Sequence, residues 1–491
     1  MESLNQAVVW LLLPLAVWSL LTGIDDLIID LAALLAWLSC RRRAAVTPAN
    51  LRAEPERPIA IFIPCWQESE VIARMIQQNT QAIDYRNYQV FIGAYPNDSR
   101  TVEVGGAIEG AFERVHLALC PHPGPTSKAD CLNWIYQRML QYENDRGIKF
   151  EIVVTHDAED VIHAASLRSI NFYSREYEMV QVPVLPIPTP LSHWTHAVYC
   201  DEFTEYQARD MPARCWMGGF MPSNGVGTGF RRDALERLAN AESNRIFEPA
   251  CLTEDYENGL RLKLLGAAQI LIPLRLKGVA TREYFPGSFA AAIRQRTRWV
   301  TGIALQSWER HRWTGPPMQK YWFWRDRKGL IGNPASLLTN AVFLFGVTTY
   351  IASRALHTGW DSSNAQLGWL LLQSTFLLGS WRLLYRGVCV GKHYGIHFAL
   401  TLPLRTPHAN LINSLATVQA LYRFLRSKRD HVPLVWVKTE HQYPSQAALV
   451  QPVLRLREVL VGSGYISQEQ LTDALNMDVP NLRLRASDRN G

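Results

Sequence analysis

At 491 residues, with 48% hydrophobic residues, a mean hydropathy of -0.08 and a net charge of +6, the chain has room for roughly three domains and is neither a small stapled scaffold nor a disordered polyelectrolyte. Its basic residues crowd beside apolar runs, at Arg41-Arg42-Arg43 and from Arg423 to Arg429, which suits membrane flanks and not a nucleic acid polymer. The eight cysteines show no paired spacing, which excludes a zinc finger or disulfide framework and fits a reducing compartment.

An uncharged apolar run from Ala7 to Gly23 approaches the length that crosses a bilayer. No basic segment precedes it and no small-residue cleavage site follows, so it reads as an uncleaved anchor, with the three arginines holding the next domain in the cytoplasm. Ile24 to Cys40 mixes Asp25, Asp26 and Asp30 with aliphatics, which predicts an amphipathic helix on the membrane surface or against partner helices.

From Ile59 the pattern becomes β-branched strands alternating with helical stretches. Ile59 to Pro64, Gln89 to Ala94, Glu151 to Thr155 and Leu265 to Ile272 predict a mainly parallel sheet wrapped by helices. Pro183 to Pro190 is too proline-rich for a central strand and reads as a connector over the active face. The aromatic and basic segment Tyr321 to Lys328 fits a helix at headgroup depth, or plain core packing. Pro334 to Ile351 and Leu367 to Leu384, joined by a polar loop with Asp361, Ser362, Ser363 and Asn364, predict a transmembrane hairpin. Tyr394 to Leu421 is interrupted by Pro403, Arg405, Pro407 and His408, and suits either a broken third span or a surface helix. The tail from Lys428 carries a helical pattern at Leu454 to Leu460, a break at Gly464 and a second helix opening at Ser467, where Gln470 completes a capping box. The resulting divisions are 1–50 anchor and interfacial helix, 51–315 α/β domain, 316–425 interfacial and transmembrane helices, and 426–491 a small helical C-terminal domain.

The chemistry concentrates at strand ends. Glu151-Ile152-Val153-Val154-Thr155 leads into His156-Asp157-Ala158-Glu159-Asp160, a buried strand delivering carboxylates to the edge where open α/β sheets bind ligands. Residues two apart in extended chain share a side, so Asp157 and Glu159 can converge on one hard divalent cation, with Asp160 as a third candidate. Taken alone, the cluster is equally a solvated turn or a helix cap. Glu68 and Asp98 stand at two further strand ends, where acids accept hydrogen bonds from a base or ribose, or else form caps. Lys128 follows a Gly-Pro turn and opens a helix, offering one cation to a phosphate. Thr253-Glu254-Asp255 also opens a helix, where acids favour the dipole or supply a general base for a hydroxyl. Gln295, Arg298 and Trp299 share one helix face by their i, i+3, i+4 spacing, for packing or for lining a diphosphate and sugar groove.

In this order the elements resemble the family 2 glycosyltransferases. The resemblance implies a GT-A-like nucleotide-sugar-binding α/β domain inserted between transmembrane helices. By position, Asp157 and Glu159 match the metal-binding DxD, with Glu in place of the usual second Asp. Asp255, beside Glu254, matches the catalytic base. Gln295, Arg298 and Trp299 match the Q-x-x-R-W helix at the acceptor and diphosphate, and Glu68, Asp98, Lys128 and Asp157 are assigned to the donor. Tyr95 to Asp98, Pro123 to Asn133, Gly225 to Thr228, Arg282 to Pro286 and Trp324 to Gly329 narrow the resemblance to bacterial inner-membrane members that build a surface polysaccharide with an outer-membrane export or receptor partner.

The resemblance implies a multi-pass inner-membrane protein with a cytoplasmic catalytic domain, inverting transfer from a UDP-sugar to a glycan acceptor, and Mg²⁺ or Mn²⁺. Few spans flank the domain, so a homodimer or a partner is expected to complete an export route. In the tail, Arg455, Leu456, Leu460, Gly464 and Ile466 resemble half of the cyclic-di-GMP-binding domain of pilus ATPases, with Arg457 replacing a glycine, which implies cyclic-di-GMP as regulator. The rival reading is a non-catalytic membrane scaffold, which has no need of two acid sites together with the Gln-Arg-Trp face.

Overall fold

The computed structural model describes residues 2–42, 46–241, 244–274, 278–357, 365–434 and 443–444. The polar loop Asp361 to Asn364 and the tail residues Arg455, Leu456, Leu460, Gly464 and Ile466 lie outside them. Two units divide at Tyr443 and Pro444, and every element described below belongs to the first.

The apolar runs become strands β1 (Ile59–Pro64), β2 (Tyr88–Ala94), β3 (Val115–Leu119) and β4 (Ile152–Thr155), which pair in parallel. Nearly every residue of β1, β2 and β4 is buried, because helices cover both faces and alternation of polar and apolar residues is not required. Met179–Gln181 (β5), Val184–Pro186 (β6), Thr228–Arg231 (β7), Gln269–Leu271 (β8) and Thr281–Glu283 (β9) complete the set. The large sheet runs β3-β2-β1-β4-β7-β5-β8, with β7 antiparallel to both neighbours. Successive strands from β1 step one way to β3, and β4 joins on the other side of β1. That reversal opens a crevice at the C-terminal ends of β1 and β4.

Two strand expectations shift in detail. The Leu265 to Ile272 segment narrows to β8 because the preceding helix runs to Leu264 and Gly266, at φ 81°, turns the chain. The proline-rich connector contains β6, which pairs with β9 in a separate two-stranded sheet, where a residue lacking an N–H is tolerated.

The N-terminal expectation needs a larger correction. Ala7 to Gly23 and Ile24 to Cys40 form one helix, Glu2–Arg42, because a lone glycine weakens a helix without ending it. Its acids are not set out on a polar surface. Asp25 accepts hydrogen bonds from Tyr321 and Lys328, both at 2.7 Å, and pairs with Arg325. Asp30 pairs with fully buried Arg209 and accepts the Trp381 indole N–H at 2.8 Å. Among the described residues, two helices are long and apolar enough to cross a membrane, Leu12–Arg41 and Pro317–Ala355. The hairpin's second arm is the helix Ala365–Tyr394, with Phe376, Leu377 and Leu384 exposed on one side while Arg386 reaches Glu205 at 2.6 Å on the other.

The undecided run from Tyr394 resolves into Ile396–Leu400 and Leu402–Asp430. The longer helix lies against Phe289–Trp299, where Thr297 donates to Gln419 at 2.9 Å. Arg405 makes two hydrogen bonds, at 2.7 and 2.8 Å, to Asp201, and the side chains are 2% and 4% exposed. Removing one partner of such a pair strands a buried charge, so Arg405→Ala should cost about 3–5 kcal/mol in denaturant unfolding, whereas Asp201→Leu with Arg405→Met should recover most of it.

Candidate active site

Each acid of the crevice is delivered by the end of a buried element. At the end of β4 the chain turns immediately, and Asp160 folds inward. Its carboxylate takes the His156 Nδ1 contact at 2.6 Å and the Asp157 N–H at 3.1 Å, with both side chains fully buried. Burial raises its pKa, partly offset by the His156 contact. Asp160 therefore braces the loop from behind, while Asp157 and Glu159 line the cavity in front. This separates the competitors for the divalent cation.

Lys128 begins the helix Lys128–Arg146, capped by the Ser127 hydroxyl at the Asp130 N–H. Its ammonium lies 2.5 Å from Asp157 and 3.4 Å from the Gly225 carbonyl. Burial alone would lower its pKa, but the carboxylates of Asp157, Glu254 and Asp255 outweigh that and hold it above the ordinary lysine value.

Gly225, at φ 77°, marks where the parts converge. A Cβ there would stand 2.9 Å from Asp255 Oδ2 and 3.3 Å from Lys128 Nζ. Only glycine meets both the left-handed backbone and the close approach.

Glu254 and Asp255 open the helix Glu254–Leu264. Their burial raises both pKa values. Glu254 is pushed up to about 7, with the Asp255 charge adding to burial. Asp255 rises through burial, opposed mainly by Lys128. The next residue, Tyr256, donates to Asp326 at 2.7 Å, and Arg214 grips the same carboxylate at 2.8 and 2.9 Å. Gly302 follows the Phe289–Trp299 helix and lies where any Cβ would overlap the Thr253 side chain. The two catalytic-motif helices are thus fitted to one another.

Gln295, Arg298 and Trp299 line the same cavity, of about 640 Å³, together with Glu68, Lys128, Asp157, Glu159, Glu254 and Asp255. That size is ordinary for a small-molecule site. Gln295 Oε1 and Arg298 Nε are buried without a hydrogen-bond partner in the protein, as expected of groups that meet a ligand or water. Trp299 packs near Tyr199 and Phe203, with ring centroids 6.0 and 5.9 Å away.

Among the described residues, Asp98, like Asp160, is a candidate that the cavity wall does not include. It caps the helix Ser99–Ala111 and accepts the Gln67 N–H, so its oxygens serve the turn. Sequence reasoning gave no role to Asn224 or Glu283, which also line the cavity. Glu283 is held well above the ordinary carboxylate pKa by burial and by the nearby Asp160, Glu159 and Asp157. Their signal was their place inside two of the short resemblance segments or beside them.

The wall offers hard oxygen donors. Among the described residues no group of three or more His, Cys, Asp or Glu side chains forms a metal cage. Two carboxylates completed by phosphate oxygens and water is nonetheless the usual way Mg²⁺ is held, and Asp157 with Glu159 fits that set.

A family model described as "Glycosyltransferase like family 2" matches residues 55–302. Bacteriophage adsorption protein B of Escherichia coli strain K12 is 34% identical over 503 residues, covering 97% of this chain and 67% of that protein. Among solved structures, the mannosyltransferase PcManGT from Pyrobaculum calidifontis, in complex with GDP-Man and Mn²⁺, is similar at 17% identity. That match covers 83% of this chain and 99% of that one, with a TM-score of 0.49.

Glu254 and Asp255 share their titration, and a base drawn from the pair works only once deprotonated. Because burial raises both carboxyls, the rate should rise with pH along an acid limb lying above the ordinary carboxylate range. Glu254→Gln removes one of two like charges and should move that acid limb to lower pH, read from rate profiles over roughly pH 5 to 9.

Proposed function

Because this chain belongs to the family 2 glycosyltransferases, we propose that it is a membrane-embedded inverting enzyme that transfers a sugar from a UDP-sugar to a growing glycan. The observation that carries this reading is the convergence at Gly225, where Lys128 and Asp255 approach one small gap while Asp157 holds the far side of the lysine. A diphosphate held on the Lys128 and Asp157 side would turn the anomeric carbon toward Asp255, the arrangement an in-line displacement needs.

In the step, Asp255 takes the proton of an acceptor hydroxyl as that oxygen bonds to the anomeric carbon. The bond from that carbon to the phosphate oxygen breaks, and its electron pair leaves with the diphosphate. Lys128 and Arg298 meet the departing charge, which is where preorganised cations act most strongly. Asp157 and Glu159 would hold Mg²⁺ or Mn²⁺, which would offset the charge growing on the diphosphate. Gln295 and Trp299 face the acceptor, the amide as a hydrogen-bonding group and the indole as a flat surface for a sugar ring.

The apolar helices Leu12–Arg41 and Pro317–Ala355 support a membrane location, and the basic flank Arg41-Arg42-Arg43 supports a cytoplasmic catalytic unit. The likeness to bacteriophage adsorption protein B supports a surface polysaccharide as product, made with an outer-membrane partner. Regulation by cyclic-di-GMP remains part of the reading through the tail motif at Arg455 to Ile466, and added cyclic-di-GMP belongs in the assay.

Detergent-purified protein should release UDP from one of a panel of UDP-sugars when Mn²⁺ or Mg²⁺ is present. Asp157→Asn should abolish the metal dependence. Asp255→Asn should fold normally and lose turnover by about 100-fold or more. Equal rates in wild type and Asp255→Asn would remove Asp255 as the base.

A further inference from the structure

We propose that Asn224 is a specificity-determining residue that donates a hydrogen bond to an oxygen of the transferred sugar, a hydroxyl or an acetamido carbonyl. The proposal rests on the glycosyltransferase reading above and extends it to a residue outside the assigned motifs.

The loop from Ser223 to Gly227 enters β7 at the cavity edge and is fastened from behind. The Asn224 N–H donates to Gln181 Oε1 at 2.9 Å, and the same oxygen accepts the Thr228 hydroxyl at 2.8 Å. Gln181 is fully buried, and its amide nitrogen donates to the Val226 and Val182 carbonyls at 2.9 and 2.8 Å. Ser223 Oγ bonds to Thr228 Oγ1 at 2.8 Å and accepts the Gly225 N–H at 3.1 Å, while the Gly227 N–H reaches the Thr155 carbonyl at 2.8 Å. Little freedom is left in this backbone.

From that fixed base the Asn224 side chain lines the cavity, and its Nδ2 is buried with no hydrogen-bond partner in the protein. A buried amide donor without a partner is costly unless a ligand or water meets it. Its neighbour Gly225 lies against both Asp255 and Lys128. A ring whose anomeric carbon sits between the base and the phosphate must therefore pass beside Asn224. An N–H donor selects an oxygen acceptor there, and a sugar ring supplies several. Phosphate oxygens have the Lys128 ammonium and the Arg298 guanidinium in the same cavity wall, so they do not require the amide.

The test compares wild-type, Asn224→Ala and Asn224→Leu full-length protein in detergent, with Asn224→Ser in reserve should either lose its melting transition. Dissociation constants are measured for UDP and for whichever of UDP-glucose, UDP-galactose, UDP-N-acetylglucosamine or UDP-glucuronate supports UDP release by the wild type. UDP affinity should stay within about 2-fold, while the UDP-sugar weakens by about 3- to 10-fold, the scale of one lost hydrogen bond. Equal weakening of both ligands would assign Asn224 to the nucleotide and overturn the proposal. Unchanged UDP-sugar affinity with reduced turnover would assign it to the acceptor and overturn it equally. A wild type that releases UDP from none of the four donors defeats the enzyme reading, and this inference with it.

Discussion

The site depends on one ammonium placed among carboxylates. Asp157, Glu254 and Asp255 come from two elements far apart in sequence, and without a cation between them their burial would be mutually repulsive. Lys128 supplies that cation at 2.5 Å from Asp157. The carboxylates in turn keep it charged in a position where burial would favour neutral lysine. This mutual dependence suits the proposed chemistry, in which a cation already held among carboxylates would meet the charge of a departing diphosphate.

Position, more than composition, gives neighbouring acids separate roles. Asp157 and Asp160 are three residues apart, yet one lines the cavity and the other bonds to His156 inside the fold. Glu254 and Asp255 are adjacent, and the rise of one through the charge of the other spreads their titration toward neutral pH. Such division of labour between paired carboxyl groups is how one fold obtains both bases and structural anchors from the same residue type.

Much of this was legible in the sequence, for identifiable reasons. Strands β1, β2, β4 and β8 are readable because they lie in apolar runs, and the acids because they end those runs abruptly, whereas β3, β5, β6, β7 and β9 carry too short or too broken a pattern. The face shared by Gln295, Arg298 and Trp299 followed from helical spacing alone. What escaped reading depended on contacts between distant segments. For the helix carrying Asp25 and Asp30, the choice between a membrane surface and partner helices could not be made locally, since the partners Arg325, Lys328 and Arg209 lie some 180 to 300 residues away. For Asp98 the sequence left a cap and a binding carboxylate both open, because the two share one local pattern, and the structure shows the cap. Asn224 stood out only by its place beside the Gly225 to Thr228 segment, since what fixes its backbone is Gln181, 43 residues earlier.

The same long-range contacts show where the active site ends. The helix carrying Asp255 is held by Tyr256 to Asp326, and Asp326 is gripped by Arg214. The helix carrying Gln295 and Trp299 is held by Thr297 to Gln419, and by Arg296, which joins Glu202 and Asn413. Asp326, Asn413 and Gln419 all lie beyond residue 302, where the family match stops. The helices that carry Asp255 and that carry Gln295 and Trp299 thus both take their position from segments outside the α/β domain. Close-packed interiors transmit strain, so these anchors help fix where Asp255 and Trp299 stand. The catalytic unit is therefore the α/β domain together with the helices that follow it, and the cavity wall is a joint product of the two.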